Sequence, residues 1–149
     1  INGIKSRIKI PAYGKYLRRL ILENHLEGKV RVLGKLSAEE MKQEYLSSQI
    51  FVCPSAVENS PNSVAEGQLL GVPVAASRTG GIPDVVKDGV SGLLFEKGNV
   101  QELAACVSRI LTDKQLAKEL SASERETAAT LYNGEYNYQK LIEIYQSIG

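Results

Sequence analysis

Cysteine, histidine and net charge are all scarce in this chain. Cys53 and Cys106 are its only thiols in 149 residues. Both lie in apolar stretches and neither belongs to a Cys-x-x-Cys pair. That pattern reads as two reduced, buried thiols of a cytosolic protein, not as a disulfide framework. One histidine and no ligand cluster leave no metal site to expect. His25 itself falls at the expected end of a helix, between Asn24 and Leu26. The helix dipole favours polar or cationic side chains there, so a structural role is preferred to a catalytic one. No apolar run approaches the roughly 18 residues of a membrane span, and no secretory leader is recognisable. Eighteen basic against seventeen acidic side chains give +1, which excludes a global pull toward nucleic acid or anionic lipid. Lys5, Arg7, Lys9, Lys15, Arg18 and Arg19 gather early, and on a strand and helix start they read more readily as a solvated face than as a phosphate or membrane contact.

What is present is an ordinary globular composition, 43% apolar and 23% charged, in a length that suits one domain. The chain starts at Ile1 and not at Met, which points to a piece of something longer. Arg7–Ile10 alternates weakly as a strand. Tyr16, Leu17, Leu20 and Ile21 recur at helical spacing within 15–24. Val30–Leu33 reads as a strand closed by Gly34. Ser37 to Glu40 is a capping box that opens a helix to about Ser48, with Met41, Tyr45 and Leu46 turned inward. Ile50–Cys53 is continuously apolar, as expected of a strand buried on both faces. A helix over Asn62–Leu70 ends at Gly71, and a strand follows over Pro73–Ala76. Further along come a short helix over Asp84–Lys87, a strand at Leu93–Phe95 and a helix from Asn99 to Leu111. Helices fill about 114–148, with a break near Tyr132-Asn133-Gly134. Strands alternating with helices predict an α/β fold with a Rossmann-like parallel sheet flanked by helices.

The stretch richest in chemistry is Glu58-Asn59-Ser60-Pro61-Asn62-Ser63-Val64-Ala65-Glu66. It runs from a strand end through a polar loop into a helix, where parallel sheets hold phosphates and sugars. Sugar transfer from a nucleotide donor needs hydroxyls held and a departing diphosphate stabilised. Carboxylates suit the hydroxyls, because each accepts several hydrogen bonds. They repel phosphate, so backbone N–H groups must serve that end. Glu58 on the loop, Glu66 on the helix and the amides of Asn59 to Ser63 between them can divide the work. A plainer reading stands beside this one. Ser63 and Glu66 form a capping-box pattern of their own, and Glu58 would then be an ordinary loop acid. Gly80-Gly81 reads more readily as a turn than as a pocket floor.

Six blocks occur in order: Val30–Gly34, Ile50–Ser55, Glu58-x7-Glu66-Gly67, Gly71–Ser77, Gly80–Val86 and Asp88–Leu94. Together they closely resemble the C-terminal, nucleotide-sugar-binding half of a GT-B glycosyltransferase, in the retaining group called glycosyltransferase family 4 (glycosyl transferases group 1). The resemblance covers most of the chain. It implies a hexosyltransferase-type activity, transferring a glycosyl group to a glycan, polysaccharide or lipid-linked acceptor. Glu58 matches the catalytic-site Glu that approaches the hydroxyls of the transferred sugar, and Glu66 the one that holds the nucleotide ribose. Asn59, Ser60, Asn62 and Ser63 match the loop that meets donor sugar and diphosphate. Gly34, Lys35 and Leu36 match the strand end where the base packs. The family implies a nucleotide-sugar as substrate, no metal and no other cofactor, no nucleic-acid partner, and a cytoplasmic place, with the parent peripheral at the inner face of a membrane as one option.

Three departures accompany the match. The family's loop after the first Glu is rich in Gly-Phe-Gly, whereas this one is Asn59-Ser60-Pro61-Asn62-Ser63, and Pro61 removes a donor. The family's first strand and its diphosphate-neutralising Arg and Lys are not found. The N-terminal acceptor-binding domain is missing too, so these residues alone are expected to transfer nothing. Without that domain, aromatic surface around Tyr132, Tyr136, Tyr138 and Tyr145 predicts self-association. Two rivals remain: a sugar-nucleotide epimerase or phosphorylase of related architecture, and a non-catalytic binding or assembly module of the same fold.

Overall fold

The computed structural model describes residues 12–148, and the strand expected at Arg7–Ile10 lies outside them. The chain divides into two compact units, the first ending at Leu36 and the second beginning at Ser37.

The first unit contains helix α1 (Ala12–Glu23). It ends because His25 takes a left-handed conformation at φ 53°. The His25 amide then donates to Leu22 O at 3.2 Å and the Leu26 amide to Ile21 O at 2.9 Å. Those two bonds close a Schellman motif, a position usually filled by glycine. The only histidine of the chain is thus a helix stop. The strand expected at Val30–Leu33 is not formed, and the sheet of the described residues does not include that segment. Val32 is 81% exposed. An apolar run becomes a strand only where a neighbour takes up its amides and carbonyls.

The second unit is a parallel sheet flanked by helices. Helix α2 (Ala38–Ser47) opens on the expected capping box, with Ser37 and Glu40 each bonding the other's amide. Strands β1 (Phe51–Cys53), β2 (Val74–Ser77) and β3 (Leu93–Phe95) follow in that spatial order, all parallel. Phe51 stands opposite Val74, and Ala75 opposite Leu93. Helix α3 (Asn62–Leu70) carries the chain from β1 to β2, and the short α4 (Ile82–Val85) lies between β2 and β3. The short helix therefore starts at Ile82, two residues before the expected Asp84, because Pro83 is tolerated in a first turn, where its missing N–H is not needed. Helices α5 (Val100–Thr112), α6 (Lys114–Leu131) and α7 (Gly134–Ile148) complete the unit.

Alternation along β2 divides the core. Val74 and Ala76 join Cys53, Val64, Ile82, Val86 and Leu94 on one face. Ala75 joins Leu93, Phe95, Ile110, Leu116 and Leu120 on the other. Side chains of successive strand residues point to opposite faces, so a central strand covered on both sides must be apolar throughout. Helix α6 is tied to the α3–β2 connection by polar side chains. Ser121 Oγ donates to Gly71 O at 2.7 Å and Arg125 Nη2 to Leu70 O at 3.1 Å. The Val74 amide donates to Glu124 Oε1 at 2.9 Å. Glu124 is fully buried, and burial pushes its carboxyl up to about 8. Helix α7 buries no residue, and Tyr136, Tyr138, Leu141, Ile144 and Tyr145 stay exposed. Among the described residues no helix is long and apolar enough to cross a membrane.

Candidate functional site

The stretch 54–61 leaves the carboxyl end of β1 and delivers the chain to the start of α3. Its beginning is fixed by β2, since Ser77 Oγ donates to Ser55 O at 2.7 Å. Glu58 is half-buried, and its Oε1 accepts from the Asn59 amide at 3.1 Å. One amide expected to meet a ligand is therefore turned onto the carboxylate beside it. The next turn is tight. The Asn62 amide donates to Ser60 O at 3.0 Å, around the buried Pro61.

Helix α3 begins at Asn62 with Pro61 as its N-cap, and no side chain caps it. The capping box read from Ser63 and Glu66 is not formed. Ser63 is already inside the helix, where its side chain cannot serve the amide three residues on as a cap does, and Glu66 is the fifth helical residue. The amides of Ser60 and Ser63 find no acceptor among the described residues. Asn59, Ser60 and Asn62 are exposed, and Ser63 is partly so. The start of α3 thus combines unclaimed N–H groups with the positive end of a helix dipole, an arrangement that suits an anion.

Glu66 is exposed on α3 and is met from below by Tyr45 of α2. Tyr45 is only 5% exposed, and its ring meets Phe51 edge-on at 5.2 Å between centroids. Its hydroxyl donates to Ser63 O at 2.9 Å and lies 3.4 Å from Glu66 Oε2. Burial, followed by the negative charge of Glu66, pushes the phenol up to about 12. Tyr45 therefore keeps its proton at any ordinary pH.

The Gly80-Gly81 pair closes the other side. A Cβ on Gly80 would fall 1.5 Å from Glu58 O, and one on Gly81 2.3 Å from Asn59 O. The pair is more than a turn: it is the surface against which the backbone of Glu58 and Asn59 rests. Gln68, fully buried on α3, adds a second tie to this region by donating to Val85 O at 3.0 Å.

Glu58, Asn59, Ser60, Asn62, Ser63 and Glu66 are therefore brought together on one loop and helix start of the second unit. Gly34, Lys35 and Leu36 are the last residues of the first unit, with Gly34 at φ 72°. No group of three His, Cys, Asp or Glu able to hold a metal stands together among the described residues. Sequence reasoning passed over Tyr45 as a site residue. The available signal was a phenol on an inward helix face, which must find a polar partner when buried.

Comparison with known proteins gives this arrangement its family. The profile described as glycosyl transferases group 1 matches residues 8–127. The amylovoran biosynthesis glycosyltransferase AmsK of Erwinia amylovora is 29% identical over 138 residues, which are 89% of this chain and 34% of that protein. HepE of Anabaena, solved with UDP, superposes with a TM-score of 0.83 at 27% identity, over 91% of this chain and 37% of that one. The same protein has also been solved with UDP-glucose. The C-terminal domain of a glycosyl transferase group 1 protein from Francisella tularensis shares the fold, with a TM-score of 0.74 at 21% identity over 80% of this chain and 62% of that one. The chain thus spans about a third of the length of AmsK and HepE. With the parallel sheet, the loop of two carboxylates and a profile match over most of its residues, the chain belongs to the glycosyl transferases group 1 family and has the Rossmann-like α/β fold of a GT-B half.

Proposed function

We propose that this chain is the donor-binding, C-terminal domain of a retaining, family 4 glycosyltransferase, and that its ligand is a nucleotide-activated sugar. The observation that carries the reading is the uncapped start of α3, with its free Ser60 and Ser63 amides, standing between Glu58 and Glu66. A diphosphate suits the amides, and hydroxyls suit the carboxylates. Glu58 holds the hydroxyls of the transferred sugar, and its Oε2 is the oxygen left for them, since Oε1 already accepts from Asn59. Glu66 holds the ribose. Asn59 and Asn62, both exposed on the same loop and helix start, offer their side chains to the donor. The donor leaves its sugar on a glycan, polysaccharide or lipid-linked acceptor held by the N-terminal domain of the parent protein. No step calls for a metal. The UDP and UDP-glucose complexes of HepE support a uridine nucleotide as the first donor to try.

Calorimetric titration of the chain with UDP, GDP and ADP and their sugar conjugates tests this, with Glu66→Ala as the control. Saturable binding of one nucleotide, weakened by Glu66→Ala, is the expected result. A folded chain that binds none of them would favour the second reading, a non-catalytic module of the same fold. One observation favours that alternative: the Asn59 amide and Glu58 satisfy each other within the loop.

A further inference from the structure

We propose that Tyr45 is a positioning residue for donor binding, holding the first turn of α3 so that Glu66 is presented to the ribose. The proposal rests on the donor-binding reading above and adds a residue from a different helix to it. Tyr45 is buried and reaches both the backbone and a carboxylate of the site. Its hydroxyl carries a single proton, and the 2.9 Å bond to Ser63 O claims it ahead of the 3.4 Å approach to Glu66 Oε2. The strong bond fixes the Ser63 carbonyl and with it the N-terminal turn of α3. The weaker one draws a single carboxylate oxygen, Oε2, toward the sheet. The other oxygen, Oε1, is left for a ligand.

The ring is fixed before the hydroxyl acts. It packs edge-on against Phe51 of β1 and beside Gly67 of α3, where a Cβ would stand in ordinary contact with it, 3.6 Å from Tyr45 Cε1. A carboxylate on an exposed helix face otherwise samples several rotamers, and binding a ribose must then stop that motion. Tyr45 removes part of that cost in advance. The phenol stays protonated, and its one proton is engaged by Ser63 O. It acts only through Ser63 and Glu66.

The test is a cycle of three variants, Tyr45→Phe, Glu66→Gln and both together, in the full chain. Each is titrated with the nucleoside diphosphate that the native chain binds and with its 2′,3′-dideoxy counterpart. Circular dichroism and a thermal melt check the fold. Should Tyr45→Phe not fold, Tyr45→Met, which fills similar volume without a hydroxyl, takes its place. Loss of one hydrogen bond predicts about three- to tenfold weaker binding of the ribonucleotide to Tyr45→Phe. The dideoxy ligand should be affected little, and the double variant should bind no worse than Glu66→Gln alone. A structural role without positioning would weaken both ligands equally. If Glu66→Gln weakens ribonucleotide binding while Tyr45→Phe leaves it intact, or weakens both ligands alike, the positioning role is overturned and the donor reading stands. If neither variant changes binding of the ribonucleotide, the ribose role of Glu66 and the positioning role of Tyr45 are both overturned, and a folded native chain that binds no nucleoside diphosphate overturns the donor reading with them.

Discussion

The carbonyl oxygen of Glu58 rests where the side chain of residue 80 would be. A Cβ on Gly80 would lie 1.5 Å from it, and Gly80 also adopts φ 52°, in the left-handed region. Two constraints of different kind therefore meet at one glycine: backbone conformation, and contact with the loop that carries the proposed sugar-binding carboxylate.

Gly80→Ala should separate stability from binding. The left-handed conformation costs a non-glycine residue about 1–2 kcal/mol, and the contact forces the Glu58 carbonyl to move. The chain should melt several degrees lower and still fold, because the core clusters do not include Gly80. Nucleotide-sugar affinity should drop further than the free nucleotide's, since the displaced residue is the one proposed to meet the sugar. A melt and paired titrations with nucleotide and nucleotide-sugar decide it. Equal losses for the two ligands would mean that Glu58 does not touch the sugar.

Glu124 predicts how stability varies with pH. Its carboxyl is raised from the ordinary 4.5 to about 8, chiefly by burial, which the Val74 amide offsets in part. In the unfolded chain it ionises near 4.5, while in the folded chain it stays protonated until about 8. The folded state thus binds the extra proton between those values, so stability falls as pH rises through that window. The loss is on the order of 3–5 kcal/mol once the window is crossed. Below it both states are neutral, and the term vanishes. Glu124→Gln keeps an oxygen for the Val74 amide and removes the titration. It should match the native chain at pH 4 and exceed it at pH 8 in urea unfolding. A native chain with the same pH profile as the variant would mean that Glu124 is not held neutral.

Gly71 offers a purely structural counterpart. It ends α3 at φ 69°, and a Cβ there would stand 2.1 Å from Arg125 Nε. Gly71→Ala should destabilise by about 1–2 kcal/mol from conformation alone, with a further loss if Arg125 gives up Leu70 O. Nucleotide affinity should be unchanged in the folded fraction, because the altered end of α3 is opposite to the one proposed to meet the ligand. Urea unfolding alongside one nucleotide titration checks both halves, and weaker binding would show that the C-terminal end of α3 sets the geometry of its start.

What the sequence revealed was mostly local. The span of α3 and its stop at Gly71 and the break before Gly134 depend on neighbours a few residues away, and both are found where expected. The features it hid depend on distant partners. Val30–Leu33 has strand-like composition, but a strand is a pairing, and composition does not supply the pair. The Ser63–Glu66 pattern fits a capping box, but the chain turns helical at Asn62, so the motif is spent inside the helix. Glu124 looks like any helix acid until Val74, 50 residues earlier, is placed against it. Gly80-Gly81 carries the sequence mark of a turn, and only the fold brings it under Glu58. The candidate site was legible as a list of residues along one loop, and its supports, Tyr45 and Gly80, were not.

Asn62→Glu sets folding and binding against each other most directly. Residue 62 is exposed and opens α3, where no side chain now serves as cap. A carboxylate there interacts favourably with the positive end of the helix, by about 0.3–1 kcal/mol at low salt. The same charge repels the diphosphate that the start of α3 is proposed to hold. The variant should therefore unfold at higher urea and bind the nucleoside diphosphate at least about tenfold more weakly, as expected when a like charge is placed at an anion site. Both effects should shrink as salt is raised, because the residue is exposed. Binding of the nucleoside without phosphates should be untouched. If the variant is stabilised and nucleoside diphosphate affinity is unchanged, the start of α3 holds no phosphate, and the function assigned to this loop would have to rest on Glu58 and Glu66 alone.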